Sequence, residues 1–341
     1  MAKTVLVAGG AGYIGSHTSV CLAERGFDVV IADNLVNSSA VAVDRVRELS
    51  GQPVAFEQVD LTDRDALSAV FDRYPIESVI HFAGLKAVGE SVEQPLMYYR
   101  ANLLSTINLM QTMADHDVWD LVFSSSATVY GDPEVLPIHE NVSTGPTNPY
   151  GRTKLMVEDF CRDASAADDR WHIALLRYFN PVGAHNSGMI GEDPIGRPNN
   201  LVPMVMQVAV GRRDKLQVFG DDWDTADGTC VRDYIHVVDL AMGHLASLDH
   251  LEAGCNVYNL GTGNGASVLD VIHATEAVSG VKLDYEIVGR RAGDIAVSLA
   301  DPAKANRDLK WRADRNLESM LTDAWRWQSQ NPNGFHPAPA Q

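Results

Sequence analysis

Apolar positions along this chain fall into two alternating rhythms. Short apolar-rich runs at 4–8, 27–32, 54–59, 78–82, 121–124 and 173–176 read as strands buried in a parallel sheet. Between them, at about 13–25, 62–74, 94–115 and from Pro149 onward, apolar residues recur every three or four positions, the period of a helix with one buried face. This strand–helix alternation predicts an α/β fold with a doubly wound parallel sheet. Gly26 stops the first helix, Pro149 suits the first turn of another, and Thr147 and Asn148 offer capping side chains before it. In the long helix the apolar stripe of Leu96, Tyr99, Leu103, Ile107 and Met110 is expected to face the core or a subunit interface. After Val182 the alternation weakens, and Gly, Pro and Asn cluster over 183–203. A smaller C-terminal α/β lobe, with loops that close over a substrate, is expected there.

Chemistry enters at the strand ends, where ligands gather in such sheets. Gly9-Gly10-Ala11-Gly12-Tyr13-Ile14-Gly15 joins the first strand to the first helix. Its glycines let backbone amides at a helix N-terminus approach a pyrophosphate. Asp33 ends the second strand, eighteen residues after Gly15, where a carboxylate accepts hydrogen bonds from a ribose diol and repels a 2′-phosphate. NAD is therefore expected over NADP. Asp60 and Leu61 can hold the adenine, Phe82-Ala83-Gly84-Leu85-Lys86 and Ser124-Ser125-Ser126 end later strands, and Asn102 is a polar exception in a helix interior that can contact the site. The expected organisation is a Rossmann-type NAD-binding domain over residues 1–180 and a mainly substrate-binding lobe over 181–341, with some segments returning to the first domain.

Tyr150 and Lys154 lie one helical turn apart on one face. A free phenol titrates near 10, too high for a base at neutral pH, and a neighbouring ammonium is expected to pull it down. Such a tyrosine can take the proton from an alcohol while hydride leaves the same carbon, with Ser126 hydrogen-bonding the hydroxyl. Arg232 and Arg291 are the expected diphosphate clamp, because guanidinium pairs with phosphate bidentately; a surface salt bridge is the plainer reading of Arg290.

The Gly9-x-x-Gly12-x-x-Gly15 spacing with Ser126, Tyr150 and Lys154 resembles the extended short-chain dehydrogenases/reductases. Within that superfamily, His81-Phe82-Ala83-Gly84-Leu85-Lys86-Ala87-Val88-Gly89-Glu90-Ser91 and the run from Arg177 to His185 resemble the UDP-glucose 4-epimerase (UDP-galactose 4-epimerase) family, and the likeness extends from about Lys3 to Gln328. It implies tightly bound NAD, recycled within each turnover and touched by Tyr13, Ile14, Asp33, Asn34, Leu35, Val36, Asn37, Ser38, Asp60, Leu61, Phe82, Ala83, Gly84, Leu85, Lys86, Asn102, Ser124, Tyr150, Lys154, Tyr178 and Phe179. It implies UDP-hexose contacts from Lys86, Ser126, Tyr150, Phe179, Asn180, Asn200, Leu201, Gln217, Val218, Phe219, Arg232, Tyr234, Arg291, Asp294 and Ser298. It further implies a homodimer through the helices around 94–115 and 151–165. In the implied reaction Tyr150 takes the C4 proton, the 4-keto sugar rotates, and hydride returns to the opposite face. Related dehydratases carry Thr-Asp-Glu at the strand end where this chain has Ser126-Ala127-Thr128. No acid pair is present to expel a hydroxyl, and no cysteine lies near Ser126 or Tyr150 to form a thioester. Ser298 stands where some bacterial members carry a tyrosine, which leaves room for an N-acetyl group.

Composition narrows the partners. The 341 residues carry 27 Lys plus Arg against 45 Asp plus Glu, a net charge of −18, with no dense basic run to bind nucleic acid. No apolar stretch is long enough to span a membrane, and the apolar run 5–8 is too short for a signal peptide. The four cysteines are widely separated and the eleven histidines show no zinc-like spacing, so reduced thiols, no metal and a cytoplasmic location are expected. His81 reads as a packing residue. The competing readings are another NAD-dependent nucleotide-sugar enzyme, such as a dehydratase or decarboxylase, and a catalytically dead NAD-binding regulator.

Overall fold

A computed structural model describes residues 2–335 except Arg197, Asn199 and Ala292. Asn199 of the Pro198-Asn199-Asn200-Leu201 motif and Ala292 of the Arg290–Asp294 motif therefore lie outside the described residues.

Strand β1 (Thr4–Ala8) is buried along its whole length at the heart of a seven-stranded sheet. Helix α1 (Tyr13–Glu24) leads to β2 (Asp28–Asp33), and α2 (Ala40–Ser50) leads to β3 (Ala55–Gln58) at the edge. The chain then crosses to the other side of β1 through α3 (Arg64–Arg73) and lays down β4 (Ser78–His81). The short α4 (Val88–Glu93) and long α5 (Pro95–Asp115) lead to β5 (Asp120–Ser126), and α6 (Pro149–Ala167) leads to β6 (His172–Tyr178). A strand from much later in the chain, Gly254–Leu260, takes the seventh place beside β6. Every neighbouring pair is parallel. Strand order reverses between β1 and β4, and at such a switch point a crevice opens at the carboxyl ends of the strands.

Alternate strand residues serve two cores, because successive side chains point to opposite faces. Val5, Val7, Val29 and Ile31 pack with α1 and α2, whereas Leu6, Ala8, Val30 and Phe123 pack with α3, α5 and α6. Helix α1 buries Ser16, His17, Thr18 and Ser19. Their side chains bond back to carbonyls of the preceding turn, Thr18 Oγ1 to Ile14 O at 2.9 Å and Ser19 Oγ to Gly15 O at 2.8 Å, which satisfies the three hydroxyls without water. His81 is a fully buried packing residue, hydrogen-bonded to Thr106 Oγ1 at 3.0 Å.

Helix α5 divides its apolar stripe between core and surface. Met110 is buried and Leu103 packs against the core, while Leu96 and Ile107 stand exposed, Leu96 at 82%. Tyr98, Asn102, Thr106, Leu109 and Met113 face inward. Two polar members of the inward face have specific partners: Asn108 Nδ2 donates to Leu61 O at 3.0 Å and Thr106 Oγ1 to Asn102 O at 2.9 Å.

Helix α6 is fastened to the sheet by a buried ion pair. Glu158 accepts from Arg177 Nε at 2.9 Å and Nη2 at 2.6 Å, from Ser125 Oγ at 2.6 Å and from Arg162 Nη2 at 2.6 Å. The Glu158 side chain is fully buried and that of Arg177 nearly so. The bidentate geometry offsets the desolvation of both charges.

The rest of the chain builds a smaller α/β lobe from β7 (Asn180–Val182), α7 (Leu201–Ala209), β8 (Leu216–Phe219) and β9 (Val231–His236). Helix α8 (Val237–Asp249) and the seventh sheet strand, β10 (Gly254–Leu260), then return to the large sheet, α8 packing in the α1 core. The lobe resumes with β11 (Gly265–Ser267), α9 (Val268–Ser279), β12 (Tyr285–Val288) and β13 (Val297–Ser298), and α10 (Ala303–Asp308) and α11 (Leu317–Gln330) follow. β9 pairs with β7, β11 and β13, and β8 pairs with β12. Among the described residues no helix is long and apolar enough to cross a membrane.

Removing Arg177 leaves the buried Glu158 charge with only Arg162, at the helix surface, and Ser125 as partners. Arg177→Met is expected to destabilise the protein by about 3–5 kcal/mol in urea unfolding. The double variant Glu158→Gln/Arg177→Met is expected to recover part of that loss. Equal stability of Arg177→Met and wild type would contradict the role of the pair.

Candidate active site

A cavity of about 410 Å³ opens at the carboxyl ends of β1, β2, β4 and β5. Its wall includes Gly9, Gly12, Tyr13, Ile14, Gly15, Asp33, Asn34, Val36, Asn37, Ser38, Asp60, Leu61 and Phe82 through Lys86, followed by Ser124, Ser126, Tyr150, Tyr178, Phe179, Asn180 and Asn200. Of the residues expected to touch the cofactor, Leu35, Asn102 and Lys154 are not on that wall. Leu35 packs against the α1 core. Asn102 braces the loop instead of facing the cavity: its Oδ1 accepts from Leu85 N at 2.7 Å and its Nδ2 donates to Leu85 O and Thr153 Oγ1, both at 3.0 Å.

The glycine loop is a cradle with no room for side chains. A Cβ on Gly9, which has φ +80°, would lie 2.6 Å from Ala83 N, and one on Gly15 would lie 2.4 Å from Gly9 O. Gly12 caps α1 without a side-chain bond, so the first-turn amides of α1 keep no intrahelical partner. Asp33 is held against this loop: Oδ2 accepts from Ala11 N at 3.1 Å, and Oδ1 from Leu35 N at 2.9 Å and Ser38 Oγ at 2.8 Å. An open helix N-terminus, a crowded glycine turn and a fixed carboxylate fit a dinucleotide.

Tyr150 enters the cavity from the first turn of α6, where Asn148 Oδ1 caps Gly151 N at 2.8 Å and Pro149 starts the helix. Lys154, one turn on, lies behind it. The Lys154 ammonium donates to Ser124 O at 2.6 Å and sits 4.8 Å from the Phe123 ring and 5.9 Å from the Tyr150 ring. Burial lowers Lys154 to about 8. Burial also raises the Tyr150 phenol, and the opposing influence is a hydrogen bond with Ser126. The expected depression of Tyr150 by Lys154 is therefore not met by the protein alone: desolvation outweighs it, and the ammonium is bonded to a carbonyl.

Ser126 has its lone pairs occupied on one side. Its Oγ accepts from Thr128 N at 3.2 Å and Thr128 Oγ1 at 2.9 Å, which leaves its own proton to donate toward Tyr150 or a bound hydroxyl. Thr128 was legible in the sequence only as the lack of an acid. A second fixed hydroxyl is Tyr178, 2.5 Å from His244 Nε2. His244 Nδ1 lies 2.8 Å from Leu240 O, so Nδ1 carries the proton and Nε2 accepts from Tyr178. Burial lowers His244 to about 4, keeping it neutral. Neither His244 nor Glu192 was singled out by the sequence. Glu192 Oε1 holds Lys86 Nζ and Asn200 Nδ2, each at 3.2 Å.

The expected diphosphate and hexose contacts come from the lobe. Asn180 donates to Asp233 O at 2.9 Å. Arg232 on β9 donates to Val231 O at 2.9 Å and stands beside Ser298 of β13 in the strand register. Arg291 pairs with Asp294 at 2.7 Å and lies 5.4 Å from the Phe219 ring. Arg290 makes the surface pair expected of it, with Asp222 at 2.7 Å. Gln217 lies on β8 and Leu201 begins α7. The side chains of Val218 and Tyr234 are buried in the core of the lobe.

Residues 6–324 match the family described as GDP-mannose 4,6 dehydratase. The UDP-glucose 4-epimerase of Bacillus subtilis (strain 168) is 57% identical over 336 residues, covering 98% of this chain and 99% of its own length. The UDP-glucose 4-epimerase of Homo sapiens is 56% identical over 344 residues, with 98% and 99% covered. The crystal structure of UDP-glucose 4-epimerase from Bifidobacterium longum, in complex with NAD+ and UDP, superposes with a TM-score of 0.95 at 54% identity, covering 97% of this chain and 100% of that one.

The buried Lys154 has a measurable signature. Its value falls from 10.5 in the open chain to about 8 in the fold, so the unfolded state binds the extra proton between those limits and stability rises with pH across them. Relative to Lys154→Met, the ligand-free wild type is expected to gain on the order of 3 kcal/mol between pH 7 and pH 10. Urea unfolding of both proteins at the two pH values checks this, and a pH-independent difference would contradict it.

Proposed function

We propose roles for the site residues on the premise that this chain belongs to the UDP-glucose 4-epimerase family, within the broader family matched over residues 6–324. The enzyme is an isomerase that interconverts UDP-galactose and UDP-glucose with NAD. One observation carries the assignment of roles: Tyr150 and Ser126 share a cavity with the glycine loop and Asp33, and Ala127 and Thr128 stand where elimination would need acids.

Bound NAD supplies an acceptor for the C4 hydride and gives it back on the opposite face of the sugar. Tyr150 takes the C4 hydroxyl proton and later returns it. Ser126 donates its free proton to the sugar oxygen, or to the Tyr150 oxygen when that is ionised, and Thr128 holds it in that orientation. Lys154, anchored on Ser124 O, keeps a positive charge behind the phenol and meets the nicotinamide ribose. Gly9, Gly12 and Gly15 expose the amides that bind pyrophosphate, Asp33 takes a ribose diol, and Asp60 and Leu61 border the adenine. Arg232, Arg291, Asn180, Asn200 and the β8 edge grip UDP, which leaves the hexose free to turn between the two hydride transfers. Arg291 must leave Asp294 in part to meet a diphosphate.

Residues 1–180 serve as the NAD-binding unit and 181–341 mainly as the sugar-nucleotide lobe, with α8 and β10 returning to the sheet. A homodimer forms through α5 and α6, supported by exposed Leu96 and Ile107 on α5 and Met156 on α6. A cytoplasmic location is consistent with four free cysteines. Ser298, small and next to Arg232, leaves space for an N-acetyl group, so UDP-N-acetylglucosamine is a second substrate.

Purified protein given UDP-galactose and no added NAD is expected to form UDP-glucose; net NADH release or a stable keto sugar would sink the assignment. Tyr150→Phe is expected to lose roughly 10²–10⁴ in turnover while keeping its NAD, and full activity would remove Tyr150 from its role. Ser298→Tyr is expected to suppress turnover of the N-acetylated sugar and spare the other; unchanged selectivity would refute the steric reading.

A further inference from the structure

The cofactor cavity borrows part of its wall from the far end of the chain. Phe335, which follows α11, lines it together with Val36 and Ile195, two side chains left 65% and 60% exposed. Val36 belongs to the loop between Asp33 and α2, and Arg45 of that same helix reaches across to the chain end. The Arg45 guanidinium lies 5.1 Å from the Phe335 ring and 5.5 Å from the Trp327 ring, and the two rings are 4.8 Å apart. Arg45 Nη1 donates to Met189 O at 2.5 Å and to Asn331 Oδ1 at 2.9 Å. Phe335 N donates to Asp193 Oδ2 at 2.8 Å, and Asn331 Nδ2 to Gly188 O at 2.9 Å.

These contacts join three separate pieces of the cavity surround: the 33–38 loop through α2, the 185–195 loop, and the segment after α11. The fit is tight. A Cβ on Gly334 would lie 2.0 Å from Asp193 Oδ1, and one on Gly191 would lie 2.3 Å from the Trp327 ring. An aromatic ring on a cavity wall, with a cation over its face and its backbone amide held by a carboxylate, serves more than packing. Its removal opens the wall at the Asp33 end, where the adenosine half of a dinucleotide belongs.

We propose that Phe335, held by Arg45, Trp327 and Asp193, is a latch that retains NAD through successive turnovers. This rests on the assignment of the cavity to NAD. An enzyme that sends a hydride out and back must keep its cofactor while substrates exchange, so slow release is itself a functional requirement. Retention is governed chiefly by the dissociation rate, and an apolar ring stacked under a guanidinium slows the opening that release needs.

The test follows exchange of bound NAD for isotopically labelled NAD in the purified full chain, with NAD content read by mass spectrometry after gel filtration. Phe335→Ala is expected to exchange about tenfold faster or more, to lose NAD on gel filtration and to need added NAD for turnover. Phe335→Tyr is expected to restore wild-type retention, which a general loss of stability would not predict. Arg45→Gln, away from the cavity wall, is expected to speed exchange as well and decides the matter if Phe335→Ala does not fold. Wild-type exchange rates in the folded variants would overturn the latch. A wild-type protein that binds no NAD would instead overturn the cofactor assignment beneath it.

Discussion

The site depends on one buried ion pair. Glu158 lies two turns along α6 from the Tyr150 end and closes on Arg177 of β6, with Ser125 of β5 in the same cluster. Helix, catalytic strand end and neighbouring strand are thereby locked in one register. Hydrophobic contacts alone are non-directional and would tolerate a slide of α6 along the sheet, but a bidentate bond in a dry interior tolerates little. A shift that moved Tyr150 away from Ser126 would have to break it. The pair acts on chemistry only through this geometry, since neither charge reaches the cavity wall.

Within the frame so fixed, the site is arranged by hydrogen-bond directions more than by net charge. Thr128 fills the acceptor side of Ser126, Leu240 O fixes the tautomer of His244, and His244 then claims the Tyr178 proton. Ser124 takes the Lys154 ammonium on its carbonyl. These bonds are in place before any ligand arrives, which is the preorganisation that makes polar groups effective in a site shielded from water. The cost appears in the two central groups. Burial pushes Lys154 toward neutrality and Tyr150 away from ionisation.

What could be read from the sequence was local. β1, the glycine turn, α1, β2 and Asp33 follow one another without a break, and their meaning depends on neighbours in the chain. Tyr150 and Lys154 were legible for the same reason, being one helical turn apart. Glu192, His244 and Phe335 were not, because each acquires its role from a residue brought near by the fold; Phe335 meets Asp193 and Arg45 only after α11 has crossed the lobe. In helix α5 the pattern revealed only part of the buried face. Its apolar stripe dominated the period, yet the inward face carries Asn102, Thr106 and Asn108, whose bonds to backbone and loop make burial of polar residues favourable.

Strand β10 carries a consequence for synthesis. It supplies the edge beyond β6, although most of the lobe up to β9 is encoded between the two. A growing chain that has released only the first six sheet strands presents β6 with a full row of unanswered amides and carbonyls, the kind of edge that invites pairing with a foreign strand. Residues from the lobe must therefore emerge before the nucleotide-binding half can seal itself. The polypeptide is thus not divided into two pieces that could mature in sequence.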